Sequence, residues 1–407
     1  MAFKDPRQAM RRHPAFADYD WAKNTCNRTP PTVAHMSEPK LIGLDGRAFY
    51  GAAAGTGRYV SELCKALDEA LPEARFYVYG NKPLHMPVSS PRWQWRAEPS
   101  RFWRSMPSSV WFFLRSGQLA AHDKLDVFWG CANFLPPNLP SRIKTVLTVY
   151  DLVFKLFPQT MGIRHRLAYQ LFFRRALHSA DRRVTISQGT ATRLMQHFGA
   201  PTDAVVRPAV RPQFHTPPPQ LVEQTRAHFG LPCRYFLSVS TLEPRKNLTA
   251  VLQAMVNLVH TGITAAPCLV LVGQRGWRNQ ALESMLDKSR QAGVQVIELG
   301  YVPDADLPAL YAGAQAVLMP SLYEGFGMPI LEALQCGARV LTSDTPETRE
   351  AGGRHAIYVE PTVTGIQTGL QTLLNAPTTN AIAPSPAPDW SWSSGGLTLA
   401  QLIRSLW

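Results

Sequence analysis

The chain has 407 residues, 45% of them apolar and 17% charged, which is enough apolar material for two or three packed domains and rules out a wholly disordered chain. No apolar run is long enough for a spanning helix, and the basic start MAFKDPRQAMRRHPAFADYD lacks the apolar segment of a secretory leader. The formal charge of +13 is uneven: residues 1–220 hold 30 Lys or Arg against 15 Asp or Glu, while residues 221–407 hold 12 against 14. Such asymmetry points to an anionic partner for the first half (nucleic acid, an anionic membrane surface or a phosphate-bearing substrate), or to a basic solvated surface with no partner.

Residues 1–38 are polar and aperiodic and read as a flexible extension. A first α/β domain is expected over 39–210. KLIGLDGRAF opens it as a strand, GAAAGTGRY follows as a glycine-rich loop, and VSELCKALDEAL has helical spacing. ARFYVYG, DVFWG, TVLTVYD and RRVTIS are further strands, with helices expected over RHRLAYQLFFRRALHSA and TATRLMQHFG. VVRPAVRPQFHTPPPQ is proline-rich, which places a linker at 211–230. A second domain over 231–375 repeats the alternation: strands RYFLSVS, PCLVLVG, VQVIELG, AVLMPS and ARVLTSD, with helices between them. Residues 376–407 read as a Pro-rich segment followed by an amphipathic helix, LTLAQLIRSLW. Strands alternating with helices imply parallel, doubly wound sheets, whose ligands bind beyond the carboxyl ends of the strands. The six cysteines (Cys26, Cys64, Cys131, Cys233, Cys268 and Cys336) form no CxxC or Cys/His pattern, so reduced thiols are expected and no metal site.

Two loops after strands carry candidate chemistry. In STLEPRKN, Arg245 and Lys246 stand between a strand end and a helix start, where cations and helix amides together suit a phosphate; ordinary loop charge is the alternative. In LYEGFGMPILEALQCG, Gly325 and Gly327 permit a tight turn and close backbone approach to a ligand. Glu324 precedes the next helix and Glu332 lies about one turn inside it, so both carboxylates can face one crevice and accept bonds from sugar hydroxyls.

LMPSLYEGFGMPILEALQCGARVLTSD resembles the E-x7-E region of the retaining glycosyltransferases of family GT4, with Glu324 and Glu332 as the pair. SVSTLEPRKNL is similar to that family's diphosphate loop, GYVPDADLPALYAGAQAVLMPS to its nucleotide-base loop, and GTGRYVSELCKAL to its N-terminal glycine loop. Within the family the chain is most similar to mannosyltransferase-like members that build bacterial surface polysaccharides. The resemblance implies the GT-B fold: two Rossmann-like domains facing across a cleft, closed by a C-terminal helix that crosses back to the first. It also implies roles. Lys246 and Arg245 would bind the donor diphosphate, with Gly55, Thr56 and Gly57 closing over it or over the acceptor. Glu324, with the amides of Gly325, Phe326 and Gly327, would hold the donor sugar. Glu332 would bind the ribose, and Val302 the base through its backbone. The donor would be a nucleotide sugar, GDP-mannose favoured, with no metal or other cofactor.

Two departures from the family pattern matter. Many relatives carry His-Asp where this chain has Tyr150-Asp151. Tyr150 either holds the sugar by its hydroxyl, or marks a site altered in rate or donor choice, or packs in the core while Asp151 caps the next turn of chain. VSTL also stands where some relatives have an arginine nearer the strand, which shifts the diphosphate grip toward Arg245. The stretch PRWQWRAEPSRFWRSMPSSVWFFLR (91–115) mixes four Trp, three Phe and five Arg. It suits a membrane interface, nucleic-acid stacking or a core edge. The expected acceptor is a glycan or a polyprenyl-diphosphate-linked saccharide, handled in the cytoplasm or peripherally at the inner face of an anionic membrane, with no nucleic-acid partner. A sugar-nucleotide-binding module without efficient turnover is the alternative from another class. A GT-B epimerase or phosphorylase would need a different pattern of histidine, carboxylate or pyridoxal lysine.

Overall fold

The described residues form two wholly parallel sheets. The structure, a computed structural model, describes residues 38–50, 55–263, 267–276, 280–375 and 390–407. Residues 1–37 of the expected extension, part of the glycine loop and most of the Pro-rich segment therefore lie outside the described residues, as does Cys26; the other five cysteines are free.

The first sheet contains β1 (Lys40–Asp45), β2 (Ala74–Gly80), β3 (Trp93–Ala97), β4 (Val127–Gly130), β5 (Lys144–Val149), β6 (Arg182–Thr185) and β7 (Ala204–Val205), in the order β3-β2-β1-β4-β5-β6-β7. The second contains β8 (Phe236–Val239), β9 (Cys268–Val272), β10 (Gln295–Gly300), β11 (Ala316–Met319), β12 (Val340–Ser343) and β13 (Ala356–Val359), in the order β10-β9-β8-β11-β12-β13. In both, the first strand sits in the middle and the winding reverses beside it, which leaves a crevice at the strands' carboxyl ends. Ile42 of β1 pairs with Phe76 and Val127; Val317 of β11 pairs with Leu237 and Val340. β4, β9, β11 and β12 are buried throughout, as expected of strands covered on both faces.

Ten helices position the loops of interest: α1 (Gly55–Ala70), α2 (Ile163–Ala168), α3 (Arg174–Ser179), α4 (Gln188–Phe198), α5 (Pro219–His228), α6 (Leu248–His260), α7 (Leu307–Gly313), α8 (Met328–Gln335), α9 (Pro346–Gly352) and α10 (Trp392–Arg404). A π turn, Tyr169–Phe173, joins α2 to α3. Ser187 caps α4 by accepting from the Thr190 amide, and Gly199, at φ 62°, ends it.

The structure departs from the sequence reading in three places, and at a fourth it bears on alternatives left open. Every strand expected from the pattern is present, but β3, β7 and β13 were not expected. Gly55, Thr56 and Gly57 are not loop but the first turn of α1. Residues 211–230 are not a plain linker, since α5 occupies Pro219–His228, with Pro219 in its first turn where a missing amide costs nothing. The stretch 91–115 is in part a core edge, one of the readings the sequence left open, while Trp95, Phe102 and Leu114 are exposed. Trp93 stacks on Phe76 at 4.0 Å between centroids, and the buried Trp111 donates to Glu98 at 2.8 Å. Arg96 is held by Asp123, and Arg115 lies 3.4 Å from Glu98.

α10 packs against α1, where Gly396 lies so close to Ala66 that a Cβ would come within 2.4 Å of its side chain. Leu399, Ala400 and Ile403 are fully buried there, and Arg404 pairs with Glu73 at 2.8 Å. α10 thus lies on the first sheet's side.

Candidate active site

The two loops of the second sheet are tied together before any ligand is considered. Asn247, in a left-handed conformation at φ 60°, ends the short turn Pro244–Lys246. Its side-chain amide donates to the carbonyls of Pro320 at 3.0 Å and Pro361 at 2.9 Å. The Leu322 amide donates to the Arg245 carbonyl at 2.9 Å. The β8–α6 and β11–α8 loops therefore present one surface, with Gly327, at φ 104°, making the turn into α8.

Glu324 is the centre of that surface. Its buried carboxylate accepts from Lys246 Nζ at 2.7 Å, Arg245 Nη1 at 2.9 Å and Ser321 Oγ at 2.6 Å. Burial opposes its charge, but Lys246 and then Arg245 outweigh that and hold the carboxyl at about 2. Arg245 is committed on both sides: Nη1 also donates to the Tyr323 carbonyl at 2.8 Å, and Nη2 reaches Glu243 at 2.6 Å. Its charge is locked on because the Glu324, Glu243 and Asp151 carboxylates outweigh the penalty of burial. Lys246 is less encumbered. Burial pulls its pKa down against the opposing pull of Glu324, and its bond to Glu324 uses only one of three ammonium protons.

Asp151 faces this cluster from the end of β5. Its Oδ1 accepts from the Val153 amide at 3.2 Å, the capping role weighed from sequence. Burial raises its pKa, against the pull of Arg245. Tyr150 points the other way. Its hydroxyl donates to the Cys131 carbonyl at 2.6 Å, its ring lies edge-on to Tyr59, and the side chain is buried in the first domain. A sugar-holding hydroxyl at this position is corrected to a core-packing one. What Tyr150 brings to the crevice is its backbone: a Cβ on Gly325 would come within 2.1 Å of the Tyr150 carbonyl oxygen. That approach explains glycine at 325.

Glu332 occupies a second cluster. Tyr311 donates to its Oε2 at 3.2 Å, and Arg211 Nη2 lies 3.6 Å from Oε1. Burial raises its pKa, with Arg211 and Arg58 opposing. Arg211 also binds Asp304 at 2.6 Å, and Asp304 receives Arg58 of α1 at 2.5 Å. Arg58 directly follows the Gly55–Gly57 turn, and a Cβ on Gly55 would lie 3.1 Å from Met328 of α8. The first turn of α1 therefore meets the E-x7-E helix across the crevice. The Val302 side chain is buried, on the loop after β10 that also carries Asp304. Phe326 is buried too, edge-on to Trp390.

Several residues at the crevice were missed from sequence. The Gly325 carbonyl accepts from Ser187 Oγ at 2.7 Å and Thr190 Oγ1 at 3.2 Å, so the start of α4 holds the EGFG loop. The Leu152 amide donates to the Tyr323 hydroxyl at 3.1 Å, and Arg193 pairs with Glu347 at 2.5 Å. Ser and Thr at a helix start read as caps, and nothing in the sequence tells a cap from a cross-crevice donor. Arg58 alone carried a usable signal, its place beside GTG. Among the described residues no group of three or more His, Cys, Asp or Glu is placed to hold a metal ion, and no helix is long and apolar enough to cross a membrane.

Residues 53–212 match the model of Glycosyltransferase Family 4, and residues 227–381 that of Glycosyl transferases group 1. The chain is 32% identical over 250 residues to O-antigen chain mannosyltransferase B of Escherichia coli, covering 60% of this chain and 63% of that one. It is 31% identical over 181 residues to the serotype-specific mannosyltransferase WbdA of Escherichia coli, covering 43% of this chain and 22% of that one. The matched segments thus span less than two thirds of these relatives. Among solved structures, sucrose-phosphate synthase from Thermosynechococcus elongatus superposes with a TM-score of 0.64 at 17% identity, covering 90% of this chain and 94% of that one. WaaG, a glycosyltransferase involved in lipopolysaccharide biosynthesis, superposes with a TM-score of 0.63 at 15% identity, covering 89% and 95%. The two facing sheets are those of the GT-B fold.

Proposed function

The chain belongs to glycosyltransferase family 4, and we propose that it moves a hexose, mannose favoured, from a nucleotide sugar to a glycan or lipid-diphosphate-linked saccharide in surface polysaccharide synthesis, with retention at the anomeric carbon. The observation that carries this reading is the Lys246–Glu324–Arg245 cluster at the strand ends, a carboxylate that its two cations hold charged at neutral pH, beside a lysine with spare donors. The relatives named as an O-antigen chain mannosyltransferase and a serotype-specific mannosyltransferase support the substrate class.

In this reading the acceptor hydroxyl oxygen attacks the anomeric carbon on the face the diphosphate leaves. The bond from that carbon to the phosphate oxygen breaks, and the acceptor's proton passes to the departing phosphate. Lys246 stabilises the charge developing on the diphosphate, together with the amides at the first turn of α1. Arg245, whose donors are spent on Glu324, Glu243 and the Tyr323 carbonyl, holds Glu324 in place rather than gripping the diphosphate alone. Glu324 accepts hydrogen bonds from the donor sugar, and Glu332 from the ribose.

One observation favours a second reading, donor binding without efficient turnover: the Tyr150 side chain, standing where many relatives have histidine, is turned into the core. A nucleotide-sugar panel tests both. Donor binding stabilises the fold by mass action, so GDP-mannose should raise the melting temperature more than other nucleotide sugars. Release of free nucleotide on adding acceptor then separates turnover from binding. No shift with any nucleotide sugar would overturn both readings.

A further inference from the structure

The proposed transfer leaves one polar group of the first domain without a role. The first sheet runs β3-β2-β1-β4-β5, so its winding reverses between β1 and β4. The loops after those two strands open at the switch point where such sheets bind ligands. The loop after β4 turns there through Asn133, a residue other than glycine in the left-handed region, at φ 64°. Such a backbone is uncommon outside glycine and clusters at functional sites.

Both ends of the buried Asn133 side chain are used. Its Oδ1 accepts from the Tyr150 amide at 2.8 Å, and its Nδ2 donates to the Tyr169 hydroxyl at 2.7 Å. One carboxamide therefore stands between the Tyr169 hydroxyl and the backbone that leads into Asp151. Tyr169 opens the π turn Tyr169–Phe173, a helix irregularity frequent at functional sites. Its ring is fixed by Phe154, stacked on it at 4.7 Å between centroids, and by Phe134 at 4.7 Å. A phenol that accepts one hydrogen bond still has its own proton to give. Among the described residues nothing accepts that proton.

Asp151 offers the complementary group. Its Oδ1 accepts from the Val153 amide, while its other oxygen has no hydrogen-bond partner among the described residues. Burial and then Asp151 raise the pKa of the Tyr169 hydroxyl. The same carboxyl joins Glu324 and Glu243 in holding the charge of Arg245 against burial. Asp151 thus stands in reach of Tyr169 on one side and of the Glu324 cluster on the other.

The charge of the group selects its ligand. Arg47, on the turn after β1, is gripped by Asp45 at 2.9 and 2.7 Å and stacks on Phe112 at 3.6 Å. Two carboxyl groups, Asp45 and Asp151, against one guanidinium leave no net positive charge for a phosphate. A neutral polyol fits, because its hydroxyls can accept from one group and donate to the other.

We propose that Tyr169, held by Asn133, and Asp151 form the acceptor subsite. The Tyr169 hydroxyl donates to, and the free Asp151 oxygen accepts from, hydroxyls of a terminal neutral hexose, mannose favoured, on the saccharide that receives the transferred sugar. This rests on the transferase reading and adds the acceptor's chemistry to it.

The test is transfer from GDP-mannose to octyl α-mannoside by the full chain, with donor binding and donor hydrolysis in the absence of acceptor measured alongside. Tyr169→Phe keeps the ring among its aromatic neighbours and removes only the hydroxyl. It should raise KM for octyl α-mannoside about tenfold, the effect of one lost hydrogen bond. KM for GDP-mannose and the rate of donor hydrolysis should stay at wild-type values. Monodeoxy forms of the mannoside separate contact from support. For the form lacking the hydroxyl that Tyr169 meets, wild type and Tyr169→Phe should share one KM, because the interaction is already absent. The subsite is overturned if Tyr169→Phe leaves KM for the mannoside unchanged, or if its penalty is the same against every monodeoxy form. It is also overturned if the wild-type protein hydrolyses GDP-mannose but does not use the mannoside. In those three outcomes donor binding still stands, whereas a wild-type protein that binds no nucleotide sugar overturns the transferase reading and the subsite with it.

Discussion

Replacing Glu324 with glutamine removes one charge from a buried cluster and leaves its shape nearly intact. In the folded protein Lys246 and Arg245 hold this carboxyl at about 2, against an ordinary value of 4.5. The difference corresponds to about 3 kcal/mol of stability. Because the folded value is the lower one, that stability is complete above about 4.5 and is lost as pH falls toward about 2. Asp151 and Glu332 are shifted upward and contribute with the opposite sign; Asp151 also loses the repulsion of Glu324 in the variant, so the difference between the two proteins reports Glu324 together with its coupling to Asp151. Urea unfolding followed by circular dichroism should therefore show Glu324→Gln less stable by about 3 kcal/mol at neutral pH, with the gap narrowing steadily between about pH 4.5 and pH 2. A gap that does not change with pH, or no gap at neutral pH, would refute the claim that the two cations hold this carboxylate charged.

Lys246→Ala should weaken nucleotide-sugar binding by about 1.5–3 kcal/mol in calorimetry, the worth of a hydrogen bond to a charged group; unchanged affinity would remove Lys246 from the diphosphate site. Gly325→Ala should destabilise the protein by about 1–3 kcal/mol, because its Cβ would meet a first-domain backbone oxygen at 2.1 Å and something must move. A thermal melt identical to wild type would show that the loop has room to spare. Tyr150→Phe should cost about 1–2 kcal/mol by stranding the Cys131 carbonyl, yet leave turnover unchanged. A large fall in turnover with intact stability would return that hydroxyl to the reaction.

Fold class was legible because both domains obey one rule, apolar runs such as DVFWG and AVLMPS alternating with helical spacing. β3 escaped because WQWRA mixes rings with a cation, and edge strands carry little continuous apolar signal; only Trp93 of its five residues is buried. α5 escaped because its leading prolines look like a linker, although a proline at a helix start has no amide to lose. At the site, Glu324, Lys246 and Arg245 could be picked out by their place between strand end and helix start. Their mutual ion pairing could not, because it depends on Asn247 zipping two loops that lie more than seventy residues apart. The Asp304–Arg58–Arg211 cluster was equally hidden: its members come from three separate segments, and only folding makes them neighbours.

The central claim is retaining transfer from a nucleotide sugar at the Glu324 crevice. Its most direct test is proton NMR of GDP-mannose incubated with the protein and no added acceptor, following the slow release of sugar to water before mutarotation scrambles it. The account predicts that the first anomer to appear keeps the α-configuration of the donor and that Glu324→Gln slows its release. First appearance of the β-anomer, or equal release by the variant, would contradict it.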